Sequence, residues 1–248
     1  MINAEKISMG FLKLRNECLN RFLGGGLETG IITNVYGPPG VGKTNFMLEF
    51  AISSIISGKK AIFIDTERNF SPERFLQMHE VKEDLNKIML YEVDDFEEQH
   101  KIINEIFSQN LIKKLNAGIL IVDSIVALYR VKMREENINE INAKLSEEFI
   151  ILARIAKKYD VPVVVTNQVY SQFDTNKLEL VGRDIPKYSS KCLIKLEKEG
   201  EYRKATIIKH RFIKEGKSII FEINDKGIRC INDLEKENKG NRIFGIFK

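Results

Sequence analysis

Gly37 to Thr44 reads G-P-P-G-V-G-K-T and fits the phosphate-loop pattern, glycine, four residues, then glycine-lysine-threonine, at every fixed place. Glycines let the backbone fold close enough for its NH groups to point at phosphate oxygens, and a helix beginning near Thr44 adds its positive end. Lys43 then sets an ammonium beside the outer phosphates, and the Thr44 hydroxyl becomes a ligand for the Mg2+ they carry. The candidate phosphate contacts are Gly37, Pro38, Pro39, Gly40, Val41, Gly42, Lys43 and Thr44.

So few fixed letters need the right context. Ile31 to Tyr36 (I-I-T-N-V-Y) is an apolar, β-branched run leading into the loop, and Asn45 to Ser57 follows with apolar residues too dense for a surface helix. Strand, loop and helix therefore occur in the order that phosphate binding requires. A glycine-proline turn between two buried elements would leave Lys43 without a purpose.

A length of 248 residues suits one α/β domain. With 43% hydrophobic and 30% charged residues and a net charge of +4, the chain has a globular composition, and the charge is too mild to prove a polyanion partner. Cys18, Cys192 and Cys230 are widely spaced and form no C-x-x-C pair, so neither a disulfide framework nor a zinc site is expected; packing roles in a reducing cytosol are. His79, His100 and His210 are equally scattered. No apolar run approaches a membrane span and the N-terminus lacks a signal-peptide core, so a cytoplasmic location is expected.

Further along, Met1 to Leu23 reads as a short lead-in with a helix, broken by Gly24-Gly25-Gly26. Lys60 to Asp65, Gly118 to Asp123 and Val161 to Thr166 read as buried strands, and Ile88 to Glu92 as a further strand. Ser71-Pro72-Glu73 predicts a cap and a short helix carrying Arg74 and Phe75. Helical spacing of apolar residues predicts helices over Phe96 to Leu115 and Asn139 to Tyr159. Alternating strands and helices imply a mostly parallel sheet with helices on both faces. From Ser190 the pattern changes to strands without helices (Cys192 to Leu196, Ala205 to Ile208, Ile219 to Ile223), expected as antiparallel additions at one edge. The core spans residues 1–232; residues 233–248 form a charged spacer and an aromatic tail, Arg242 to Phe247, that either docks on its own domain or is taken by a partner.

Ligands of such sheets sit at the carboxyl ends of the strands, which directs attention to the polar residues there. Asp123 ends an apolar run and suits a magnesium-holding role with Thr44, the alternative being a solvated strand-end aspartate. Glu67 follows the Lys60 to Asp65 strand and suits orientation or deprotonation of a water; equally, acidic residues cap helices. Gln168 stands where it could hydrogen-bond the outer phosphate.

Together these residues resemble the RecA superfamily, most closely its archaeal recombinase branch of RadB type. The resemblance is carried by F-L-G-G-G-L-E-T-G-I-I-T (Phe22 to Thr33), the phosphate loop extended to Asn45, F-I-D-T-E with S-P-E-R-F (Phe63 to Phe75), L-I-V-D-S-I-V-A-L-Y-R (Leu120 to Arg130) and V-V-V-T-N-Q-V (Val163 to Val169). It covers the chain from about Ile7 to the last strand and implies a RecA-like ATPase core using ATP and Mg2+. It implies Glu67 as catalytic base, Gln168 as the coupler of nucleotide state to DNA-facing loops, and Arg74 against the adenine. The two loops match Val131 to Asn142 and Val169 to Lys187. Arg130, Lys132 and Arg134 beside the first, with Lys177, Arg183 and Lys187 in the second, are candidates to neutralise phosphates, solvated loop charge being the plain alternative.

Two departures stand out. The residues before Ile7 are too few for the N-terminal helical domain and polymerisation segment of full-length recombinases, so autonomous filament formation is not expected. Lys209-His210-Arg211 resembles the Lys-x-Arg of hexameric helicases and clock-type ATPases, whose two side chains act in trans on a neighbour's nucleotide; the alternative is an edge strand defended by charge. The expected function is an ATP-dependent DNA-binding protein of recombination and repair with weak ATPase activity. Its expected partners are single-stranded or branched DNA, recombination or replication proteins and further copies of itself. A non-catalytic nucleotide-gated adaptor and a clock-like ATPase that ignores DNA stay open.

Overall fold

The computed structural model describes residues 10–133, 137–171, 178–182 and 184–231. In chain order the elements are β1 (Phe11–Leu12), α1 (Glu17–Phe22), β2 (Leu27–Glu28), β3 (Ile32–Tyr36), α2 (Lys43–Ile56), β4 (Lys60–Asp65), α3 (Pro72–Met78) and β5 (Ile88–Glu92). They continue as α4 (Phe96–Ser108), α5 (Leu111–Lys114), β6 (Ala117–Asp123), α6 (Ala127–Lys132), α7 (Ile138–Tyr159) and β7 (Val163–Asn167). The last are β8 (Val169–Ser171), β9 (Leu178–Leu180), α8 (Asp184–Ser189), β10 (Cys192–Glu199), β11 (Tyr202–Lys209), β12 (Ser218–Asn224) and β13 (Gly227–Cys230).

Nine strands form one sheet in the order β13-β12-β11-β10-β3-β7-β6-β4-β5. The run from β10 to β5 is parallel, and β11, β12 and β13 extend it in antiparallel fashion. Each central strand is apolar on both sides because each side is covered. Ile119 and Ile121 of β6 pack with Phe46, Met47 and Phe50 of α2, whereas Leu120 and Val122 pack with Ile103 and Ile106 of α4 and Leu145, Phe149 and Leu152 of α7. That alternation is the period of two of a strand clamped between helix layers.

Three details differ from the sequence expectation. The helix expected over Phe96 to Leu115 is two helices, because Asn110 adopts φ 54° and turns the chain. Asparagine tolerates this left-handed conformation, and its Oδ1 accepts hydrogen bonds from Lys158 Nζ (2.7 Å) and the Tyr159 hydroxyl (2.5 Å). The antiparallel edge has a further strand, β13.

The third correction concerns the cysteines: Cys18 and Cys230 form a disulfide across 212 residues, with Cα atoms 6.4 Å apart. The N-terminal segment lies against β13, where Asn16 Nδ2 donates to the Ile228 carbonyl at 2.7 Å, and this brings the two sulfurs together. Arg15 anchors the same segment to Glu49 of α2 at 2.9 Å. Cys192 is free and buried, its thiol pushed up to about 12 by burial, as suits a packing residue. Among the described residues no helix is long and apolar enough to cross a membrane. Arg134, Lys177, Arg183 and the spacer and tail of residues 233–248 lie outside the described residues.

Candidate active site

The loop follows β3 and turns directly into α2. Gly40 (φ +71°) and Gly42 (φ +103°) occupy backbone conformations that side chains resist. Gly42 is the residue before α2 and supplies no side-chain cap, so the NH groups of the first helical turn keep their capacity for an anion. Above the loop lies a cavity of about 530 Å³ that includes Lys43, Thr44, Glu67, Arg74, Asp123 and Gln168 in its lining. Residues separated by 125 positions in the chain therefore share one crevice, at the carboxyl ends of β3, β4, β6 and β7.

Asp123 is 1% exposed. Its Oδ2 accepts from the Thr44 hydroxyl at 2.8 Å, and its Oδ1 accepts from the Thr166 hydroxyl. Burial pushes this carboxyl up to about 6; the two hydroxyls pull it down, and nearby Glu67 and Asp65 raise it further. Lys43 is likewise held below its ordinary value by burial, opposed by the charges of Asp123 and Glu67. Its Nζ donates to the carbonyls of Gly37 (3.0 Å) and Pro38 (3.1 Å). A threonine hydroxyl beside a buried carboxylate is a hard oxygen donor set of the kind magnesium takes, so Thr44 and Asp123 fit the ion as its holders.

Asp65, at the end of β4, builds the turn that presents Glu67. Its carboxylate accepts from the backbone NH groups of Glu67 (3.2 Å), Asn69 (3.2 Å) and Phe70 (2.8 Å). Glu67 then accepts from Gln168 Nε2 through one oxygen and from Asn69 Nδ2 at 3.1 Å through the other. Arg130 Nη1 donates to Gln168 Oε1 at 2.5 Å. Because arginine only donates and an ionised carboxylate only accepts, the pair fixes which end of the Gln168 amide faces which neighbour. Arg130 thus points at Gln168 rather than outward.

Ser71 Oγ caps α3 by accepting from the Arg74 NH at 3.0 Å, as the sequence predicts. The Arg74 guanidinium donates to Asn45 Oδ1 (2.8 Å) and to the carbonyls of Asn224 (2.7 Å) and Asp225 (3.3 Å), which closes one side of the cavity. Sequence reasoning missed Asp65, Asn69, Arg203 and Ile223 here. The first two carry a local signal, polar residues just past a buried strand; the last two reach the cavity from β11 and β12, and nothing local marks them.

Lys209 and Arg211 lie at the other end of the sheet, since Lys209 ends β11 beside Leu193 near the start of β10. Lys209 Nζ donates to the carbonyls of Lys187 (2.9 Å) and Ser190 (2.8 Å), and Arg211 pairs with the buried Glu28. Neither reaches the cavity of its own chain. Lys132 ends α6 and Lys187 is an exposed residue of α8.

The family model described as Rad51 matches residues 9–231. The chain is 39% identical over 219 residues to a protein of Methanococcus maripaludis strain C7 named DNA repair and recombination protein RadB, covering 86% of this chain and 98% of that one. It is 41% identical over 229 residues to the protein of the same name from Methanosphaera stadtmanae, covering 90% and 97%. A solved structure described as the crystal structure of the RadB recombinase superposes with a TM-score of 0.75 at 32% identity, over 90% of this chain and all of that one. Phosphate loop, strand-end carboxylates, sheet order and these likenesses agree: the chain belongs to the Rad51 family of RecA-like proteins, in its RadB branch.

Proposed function

We propose that this chain binds ATP in the cavity above Gly37–Thr44, hydrolyses it slowly, and uses the nucleotide state to control binding to single-stranded or branched DNA during recombination and repair. The reading rests on one observation, the convergence of Lys43, Thr44, Glu67, Asp123 and Gln168 on one crevice. Its nearest support beyond the site is the likeness to proteins named for DNA repair and recombination. It acts in the cytoplasm beside DNA, other recombination or replication proteins, and further copies of itself.

In this reading the loop NH groups and Lys43 hold the polyphosphate, and Thr44 and Asp123 hold Mg2+, which when bound neutralises charge on the β- and γ-phosphate oxygens. Glu67 orients a water and takes its proton while Gln168 Nε2 donates to its Oε1. Gln168 thereby links the reacting end of the site to Arg130 on α6. Lys132 and Arg134 at and after the end of α6, with Lys177, Arg183 and Lys187 before and on α8, neutralise DNA phosphates beside Arg130, so affinity falls with salt and depends little on base sequence.

Anisotropy of a labelled single-stranded oligonucleotide, titrated at low salt with and without ATP and Mg2+, tests the proposal. Tighter binding with ATP is the expected result. Affinity indifferent to ATP, or no DNA binding in either state, would contradict it.

A further inference from the structure

Among the described residues three cations line the candidate nucleotide cavity, and their hydrogen bonds separate them. Lys43 is engaged by loop carbonyls, and Arg74 by Asn45 and the carbonyls of Asn224 and Asp225. Arg203 is different: its Nε is shielded from solvent and has no hydrogen-bond partner among the described residues. A shielded guanidinium NH without an acceptor is expensive to keep, and such groups call for an explanation.

The strand around it is firmly placed. Arg203 pairs with Lys198 of β10 on one side and Phe221 of β12 on the other, so the guanidinium is carried by a residue near the start of β11 that has a strand on either side. Its Cδ lies 3.9 Å from the point that a Cβ on Gly42 would occupy, with Ile223 on the same flank of the loop. The side chain therefore hangs beside the backbone NH groups that face the phosphates. A polyphosphate in the crevice would bring anionic oxygens to the one cation there whose Nε lacks an acceptor, and charge-assisted bonds of this kind are the strong ones.

We propose that Arg203 is a phosphate ligand supplied by the same chain, closing on an oxygen of a bound nucleoside di- or triphosphate. The inference rests on reading the cavity as an ATP site. It assigns to β11 a role in cis at its beginning, separate from Lys209 and Arg211 at and beyond its end, which point away from their own cavity.

The test is equilibrium titration of ATP and ADP with Mg2+ into the wild type, Arg203→Gln, Arg203→Lys and Lys43→Ala, with melting curves of each apo protein. Arg203→Gln should weaken both nucleotides by about tenfold to a hundredfold, the usual size of a lost bond to a charged group. Its salt dependence should be shallower than that of the wild type. Arg203→Lys should recover part of the loss by restoring charge, and the apo melting temperature should not fall, since an unmatched buried donor has been removed. Wild-type affinity in Arg203→Gln, beside a clear loss in Lys43→Ala, would overturn this inference and leave the ATP site standing. A loss in which lysine is no better than glutamine, or one matched by a lower apo melting temperature, would make Arg203 structural and overturn it too. No ATP binding by the wild type would remove the site itself, and the inference with it.

Discussion

Gly37 and Gly40 are both glycines of the phosphate loop, but the structure requires them for different reasons, and alanine substitution separates the two. A Cβ on Gly37 would stand 2.4 Å from the Leu196 carbonyl oxygen and 3.1 Å from Val41 Cγ1. Leu196 belongs to β10 and pairs with Ala205 of β11, so that oxygen moves only if the ladder moves. Overpacking against fixed atoms costs about 1–3 kcal/mol, and a backbone obstacle belongs at the upper end. For a chain of 248 residues that is a melting temperature lower by roughly 5–10 °C. Gly40 has nothing within 4 Å of its added Cβ, and its φ of +71° alone resists alanine, at about 1 kcal/mol. Asparagine, which tolerates that conformation, should recover much of the loss at position 40 and none at position 37. Differential scanning calorimetry of Gly37→Ala, Gly37→Asn, Gly40→Ala and Gly40→Asn provides the measurement. A Gly37→Ala protein that melts with the wild type, or a larger loss at Gly40 than at Gly37, would show that the Leu196 carbonyl does not constrain position 37.

The Cys18–Cys230 bond closes a loop of 212 residues, for which chain entropy gives about 5 kcal/mol. Reductant should therefore lower the wild-type melting temperature by roughly 10 °C or more and leave Cys18→Ser unmoved; identical wild-type curves with and without reductant would disprove the bond. Glu148 on α7 is fully buried, accepts from Gln99 Nε2 at 2.7 Å, and is pushed up to about 7 by burial against an ordinary 4.5. Its raised value means that the stability it contributes is complete below about 4.5 and is lost as pH rises toward about 7. His100 beside it, also raised, adds a loss of the same sign. Glu148→Gln should flatten that decline, on the order of 3 kcal/mol; an unchanged pH profile in urea unfolding would sink the assignment. If Lys209 and Arg211 serve a neighbour's site, mixing Arg211→Ala with Lys43→Ala should recover part of the ATPase activity each lacks, since arginine fingers are worth on the order of a thousandfold or more. No recovery in co-assembled protein would leave Arg211 as the partner of Glu28.

The phosphate loop and its two neighbours, Glu67 and Asp123, are legible in the sequence because each sits where a buried apolar run stops, and a parallel sheet gathers such ends on one side. The sheet's edge is legible for a related reason: helices cease after Ser190, so later strands have only one another to pair with. What stays hidden depends on position in space. Cys18 and Cys230 have no local spacing to betray them, and Arg203 looks like any basic residue of an exposed hairpin until β11 is seen to run over the loop. Arg130 reads as a loop cation from composition, yet the fold turns it inward to Gln168. The break at Asn110 is invisible to periodicity because Leu111 and Leu115 keep the apolar face going past it.

In the function proposed above, one cavity binds ATP through Lys43 and turns it over through Glu67. Calorimetric titration of ATP and Mg2+ into the wild type, Lys43→Ala and Glu67→Gln, with phosphate release followed on the same samples, tests it most directly. Lys43→Ala should lose affinity, while Glu67→Gln should bind like the wild type and release no phosphate, because one residue holds ground-state phosphates and the other assists the water. Wild-type affinity in Lys43→Ala, or equal loss of binding in both variants, would contradict it.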